Sequence, residues 1–179
     1  MTEREIIQRV LTGDTEAYAI LVDRHYHRCA RVALRILGNR EDAEEAVQDT
    51  FLRAYRALGS YEDRERFAAW VTRILVNQCR TMRARTERRE AVFSEDIDLD
   101  YAARHAIAVA QDADCPDLDA ALAKLPPEQR EAVVLRYTDD LTYEEMARVT
   151  GAGESALKMR VQRAFVRLRA LLQEVSHVG

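Results

Sequence analysis

Metal-ligating side chains crowd together at His25, His27 and Cys29. On a helix residues 25 and 29 share a face while 27 points elsewhere, and no fourth ligand follows, so no metal site is expected. Cys29, Cys79 and Cys115 are widely spaced and odd in number, which suits neither a metal-binding pair nor a disulfide framework. No nucleophile–base pair and no glycine-rich phosphate loop occurs, so no cofactor is expected and the chain should not be an enzyme on its own. What remains is the chemistry of ionised side chains, and these are unevenly distributed. Residues 64–89 hold eight arginines against two glutamates, and residues 90–119 hold nine acids against Arg104 alone. Residues 154–169 hold five bases against Glu154. A net charge of −4, from 27 basic and 31 acidic residues, hides two basic segments flanking an acidic one. Rows of arginine suit phosphates, and amides or lysines among them suit base edges.

The elements that must position these groups are helical. With 32% charged residues, 7% aromatics, 6 Gly and 3 Pro in 179 residues, the composition favours long helices over sheets with many turns. No apolar run approaches the ~20 residues of a membrane span. Glu3, Arg4 and Glu5 interrupt any signal-peptide pattern, and a soluble, cytoplasmic protein is expected. Thr2-Glu3-Arg4-Glu5 has the form of a capping box, followed by the stripe Ile6, Ile7, Val10 and Leu11. Asp14 can cap a second helix with apolar residues at three- and four-residue steps from Ala17 to Leu37, which Gly38 ends. Asn39 can cap a third, whose stripe is Ala43, Ala46, Val47, Phe51, Ala54, Tyr55 and Leu58. After a polar loop, Phe67, Trp70, Val71, Ile74 and Leu75 mark a fourth, and its later turns are dominated by arginine. Trp70 falls in that apolar stripe, so packing is expected of it rather than base stacking. Tyr61, in the preceding loop, is the better aromatic for single-stranded DNA.

Four helices with short joins make one bundle over residues 1–88. Residues 89–116 read as an acidic linker, with a short helix expected near Tyr101–Val109. Residues 117–176 form a smaller unit. Leu118, Ala121, Leu122 and Leu125 stop at Pro126-Pro127, and Pro127 suits the first position of a new helix. Thr142-Tyr143-Glu144-Glu145 is a second capping box, and its helix ends at Gly151. A tight turn leads into residues 154–172, with an expected inner face of Leu157, Val161, Phe165, Leu168 and Leu172. A short helix, a glycine-containing turn and a longer basic helix form a helix-turn-helix. Its second helix would offer Glu154, Ser155, Lys158, Met159 and Gln162 to base edges, with Arg160 and Arg163 placed for phosphates.

Four stretches, in order, resemble the extracytoplasmic-function (ECF) sigma factors of bacterial RNA polymerase. Residues 42–55, Asp42-Ala43-Glu44-Glu45 through Tyr55, look like the family's core-polymerase-binding stretch, and residues 67–77 look like its promoter −10 helix. Residues 125–137 resemble the opening of sigma region 4, and residues 142–147 with 155–164 resemble its helix-turn-helix. The resemblance implies an all-α chain: a four-helix sigma region 2 domain, an acidic linker, and a smaller helix-turn-helix sigma region 4 domain. Its implied partners are the clamp and flap of core RNA polymerase, promoter DNA and an anti-sigma factor, with membrane contact only by way of a membrane-bound anti-sigma.

The resemblance also implies site residues. Polymerase contact falls on Asp42, Gln48, Asp49, Leu52 and Arg53, and −10 contact on Tyr61, Arg73, Asn77, Arg80, Arg83 and Arg85. The −35 element falls to Glu154, Ser155, Lys158, Met159, Arg160, Gln162 and Arg163. Two departures stand out. Thr81 occupies a place where the family often has Asp, which touches the −10 preference. Phe165 replaces a common basic residue and is expected to turn inward. The competing reading is a dimeric helix-turn-helix regulator acting without being a polymerase subunit.

Overall fold

The computed structural model describes residues 1–62, 66–93 and 116–176, and every regular element among them is helical. Helix α1 (Glu3–Leu11) opens with the expected capping box: the Thr2 hydroxyl accepts from the Glu5 amide at 3.3 Å, and the Glu5 carboxylate accepts from the Thr2 amide at 2.8 Å. Helix α2 (Ala17–Leu37) begins three residues after Asp14, whose carboxylate accepts from the Ala17 amide at 3.2 Å and also holds Arg9 at 2.6 Å. Gly38 closes α2 in the left-handed region (φ 73°), where a β-carbon would be strained. Asn39 caps α3 (Arg40–Ala57), and a 3-10 turn at Leu58–Ser60 follows. Helix α4 (Phe67–Phe93) continues past residue 88.

These four helices share a core containing Ile6, Leu21, Val32, Val47, Phe67, Val71 and Leu75, each at most 1% exposed. Burying each such side chain is worth about 1.5–3 kcal/mol, which is what fixes the orientation of the charged faces on the outside. Tyr55 departs from its expected place in that stripe. It is 41% exposed and packs edge-on against Tyr18, because Ala54 fills the inward step beside it.

The second unit holds α5 (Pro116–Ala123), α6 (Pro127–Tyr137), α7 (Tyr143–Thr150) and α8 (Glu154–Ser176). Thr142 and Glu145 form the second capping box, and Gly151 ends α7 at φ 76°. Phe165 does not turn inward. It is 45% exposed, with its ring edge-on to Tyr137 at 5.2 Å, and Ala164 takes the inward position beneath Leu168 and Val161. The short helix expected at 101–109 lies outside the described residues.

The two units pack against each other, α4 against α7 and α2 against α6 and α5. Apolar residues of the second unit (Ala132, Val134, Leu135, Leu141, Met146 and Val149) continue the core of the first. Polar groups ring this seam. Arg28 of α2 donates to Asp139, which also accepts from the Thr72 hydroxyl at 2.6 Å. Arg35 donates to Asp119 and to the Thr138 hydroxyl, both at 2.9 Å. The carboxylates of Asp139, Glu131 and Asp119 are at most 5% exposed, and a buried carboxylate requires such partners.

Candidate nucleic-acid interface

The first four turns of α8 sort their residues cleanly. Leu157, Val161, Ala164 and Leu168 are buried, while Glu154, Ser155, Lys158, Met159, Gln162 and Arg163 are exposed on the opposite side. Gly151 ends α7 in the left-handed region, and only Ala152 and Gly153 separate it from the start of this helix. Lys158 lies with its ammonium 5.5 Å from the Tyr143 ring centre, which steadies a long side chain without removing it from solvent. Arg160 stands apart from the set: it is half-buried and pairs with Glu128 at 3.3 Å. The exposed group carries donors and acceptors at steps of three and four residues, the pattern that a major groove can accommodate.

Helix α4 presents a different picture. Arg73, Asn77 and Arg80 are spaced three and four apart and share a helical face, together with Arg66 just before the helix. Two arginines of that face, Arg66 and Arg80, reach the second unit, whereas Asn77 stays exposed. Both ends of the Arg80 guanidinium grip Glu131, at 2.6 and 3.0 Å, and a third N–H reaches the Thr150 carbonyl at the end of α7 at 3.2 Å. The Glu131 hydrogen bonds raise the Arg80 pKa beyond its already high ordinary value. Arg66 donates twice to Glu145. Burial alone would push the Glu145 carboxyl up, but the Thr142 amide and Arg66 together hold it below the usual carboxylate range. Asn77 is exposed, Arg73 half-buried, Arg83 pairs with Glu87 at 3.4 Å, and Arg85 is exposed. Thr81 is exposed and its hydroxyl donates back to the Asn77 carbonyl. Tyr61 is half-buried, packed edge-on against Phe67 and Trp70, and Trp70 itself is only 5% exposed.

Helix α3 offers the third surface. Gln48, Leu52 and Arg53 are exposed, with Leu52 56% accessible, and Tyr55 extends the Gln48–Leu52 face by a turn. Asp42 is tied to Asn39 at the helix start, and Asp49 accepts from the Gln78 amide at 2.9 Å, which fixes α3 to α4. The histidine–cysteine trio does not converge: His25 bonds Glu3 at 2.8 Å, His27 is exposed and Cys29 is buried. Burial lowers the His25 pKa in spite of Glu3.

Sequence reasoning did not single out Arg28, Arg35, Glu131 or Asp139 as junction residues. The one available signal was a pair of arginines seven apart on the face of α2 that also carries Val32 and Ile36.

Comparison with known proteins adds to this geometry. The Sigma-70 region 2 family matches residues 21–89, and the Sigma-70, region 4 family matches residues 116–168. The chain is 32% identical over 175 residues to the ECF RNA polymerase sigma factor SigM of Mycobacterium tuberculosis, spanning 96% of this chain and 85% of that one. Its fold is similar to that of CnrH in complex with the cytosolic domain of CnrY, at TM-score 0.70 and 28% identity, covering 96% of this chain and 97% of that one. It is also similar to the sigma factor RpoE in complex with the anti-sigma factor NepR from Bartonella quintana, at TM-score 0.71 and 26% identity over 87% of this chain and 96% of that one.

Proposed function

Because the chain belongs to the ECF sigma factors of RNA polymerase, we propose that it joins core polymerase through the outer face of α3 and reads two promoter elements with two separate helices. The amino-terminal turns of α8 take the −35 element in the major groove. Ser155, Lys158 and Gln162 face base edges and Arg163 faces phosphate. The Arg73–Asn77–Arg80 face of α4 takes the −10 element, with Arg83 and Arg85 as backbone contacts. Gln48, Asp49, Leu52 and Arg53 meet the polymerase clamp, and complementary charge there fixes register as well as affinity. The chain is a specificity subunit of the cytoplasmic transcription machinery rather than an enzyme. An anti-sigma factor holds it inactive, as the complex formed by the RpoE relative suggests.

The observation that carries this reading is the exposed polar face at the start of α8, held out by a helix-turn-helix whose second helix is anchored by Leu157, Val161 and Leu168. Run-off transcription with purified core polymerase, this chain and a promoter library tests it. Transcripts that require both proteins and share a −10/−35 pair are the expected result. Tight binding to a two-fold site without polymerase, and no transcript with it, would instead identify a dimeric regulator.

A further inference from the structure

A lysine on an exposed helix face reads bases poorly unless something fixes it, because its long stem samples many rotamers that a base contact must freeze. In this chain the fixing group is an aromatic ring. The Lys158 ammonium lies 5.5 Å from the centre of the Tyr143 ring, at the first position of α7. The ring is itself held. Tyr143 is half-buried and packs on the shared core, and the Thr142 capping box fixes the start of its helix. The Arg136 guanidinium lies 5.5 Å from the same ring centre. Arg136 is in turn placed by the Tyr137 ring at 5.6 Å and by donation to the Leu141 carbonyl at 3.1 Å. The neighbouring acids of α7 are engaged elsewhere, Glu144 with Arg148 at 3.0 Å and Glu145 with Arg66 and the Thr142 amide. Lys158 is thus placed by a π face rather than by a carboxylate. A carboxylate would claim its N–H donors and repel approaching phosphates, whereas a ring attracts the charge and leaves donors for base acceptors.

We infer that Tyr143 is a positioning residue for −35 readout: its ring sets the direction of Lys158 before DNA arrives, so part of the base selectivity of α8 resides in α7. The inference rests on the reading that Lys158 faces base edges. An exposed cation–π contact shifts a population ratio by about two- to fivefold, and that is the share of selectivity the ring supplies. Tyr143 itself need not touch a base for this, because ordering Lys158 in the free chain lowers the entropy that binding must still remove.

The test uses holoenzyme assembled from core polymerase and the full chain, transcribing from a randomised −35 library. Tyr143→Leu keeps an apolar side chain against the core and removes the π face, whereas Tyr143→Phe keeps both. Tyr143→Leu should flatten the preference at the base positions that Lys158→Ala alters, by about two- to fivefold, and leave the other positions unchanged. Tyr143→Phe should retain the native preference. In a Lys158→Ala background, Tyr143→Leu should have no further effect on it. In the free native chain, the Lys158 ε-methylene protons should show an upfield ring-current shift by NMR that Tyr143→Leu removes. Native methylene shifts at the random-coil value would overturn the inference whether or not the leucine variant folds. So would loss of preference in Tyr143→Phe, or a Tyr143→Leu profile that is unchanged, weakened alike at every sequence, or altered equally without Lys158. Those failures leave the reading of α8 standing as long as Lys158→Ala itself changes base preference. If Lys158→Ala leaves the profile unchanged, the assignment of α8 to base edges fails first and the positioning role falls with it.

Discussion

Replacing Asp139 by alanine should be among the most damaging single changes in this chain. Its side chain is fully buried, one oxygen accepting from Arg28 and the other from the Thr72 hydroxyl at 2.6 Å. Removing one partner of a buried ion pair costs about 3–5 kcal/mol, because the remaining charge is left uncompensated. Arg28 is 21% exposed and keeps a second bond to the Ala68 carbonyl at 3.1 Å, which argues for the lower end, about 3 kcal/mol. Asp139→Asn preserves shape and the Thr72 contact, and should cost only about 1–2 kcal/mol. Urea unfolding followed by circular dichroism measures both, and the double variant with Arg28→Met gives the coupling between the two sites. The pH dependence supplies an independent check. Burial pushes the Asp139 carboxyl up, despite Arg28 and Thr72 pulling it down. A folded-state pKa above the unfolded value stabilises the fold at low pH and loses that contribution as pH rises through the folded value. The native chain should therefore gain stability relative to Asp139→Asn as pH falls toward the ordinary carboxylate range. A loss under about 1 kcal/mol for Asp139→Ala, the scale of a surface pair, would refute the reasoning that this carboxylate anchors the seam.

Lys158→Ala or Gln162→Ala should change base preference at one or two −35 positions by about 1–3 kcal/mol. Arg163→Ala should instead weaken all promoters alike and reduce the salt slope by about one; transcription from a randomised −35 library at two salt concentrations reads both. Asp49→Lys should reduce capture of core polymerase while Asp49→Asn, which can still accept from Gln78, should retain most of it, as measured by pull-down with helix content as the control. Burial raises the thiols of Cys29 and Cys79 to about 12, so at pH 8 neither should react with a thiol reagent until the chain is unfolded in urea.

Much of the fold was legible because local chemistry decides it. Thr2 with Glu5, Thr142 with Glu145, Asn39, Gly38 and Gly151 each mark a helix end through a bond or backbone conformation within a few residues. The misplacements occurred where two neighbouring residues compete for one inward step. Ala54 and Ala164, both fully buried, take it over Tyr55 and Phe165, since only one of two neighbouring residues can face the core and a close-packed interior admits the small side chain. The site was half legible. The exposed face of α8 follows from its own period, but the fate of Arg80 does not. Its partner is 51 residues away and Arg28 reaches a carboxylate 111 residues away, so a basic run looks equally solvated whether or not an acidic unit lies over it. Arg28 and Asp139 are ordinary charged residues in sequence, and only the meeting of two units makes them a buried pair.

Helix α4 ends at Phe93 and α5 starts at Pro116, so residues 94–115 form a covalent leash between the two units. At ~3.3–3.6 Å per residue, that length limits their separation to about 80 Å whatever path the chain takes. The units are thus each other's tethered ligand. Their meeting is a first-order event, so the seam with its Arg28–Asp139 and Arg80–Glu131 pairs forms independently of protein concentration, and dilution does not dissolve it.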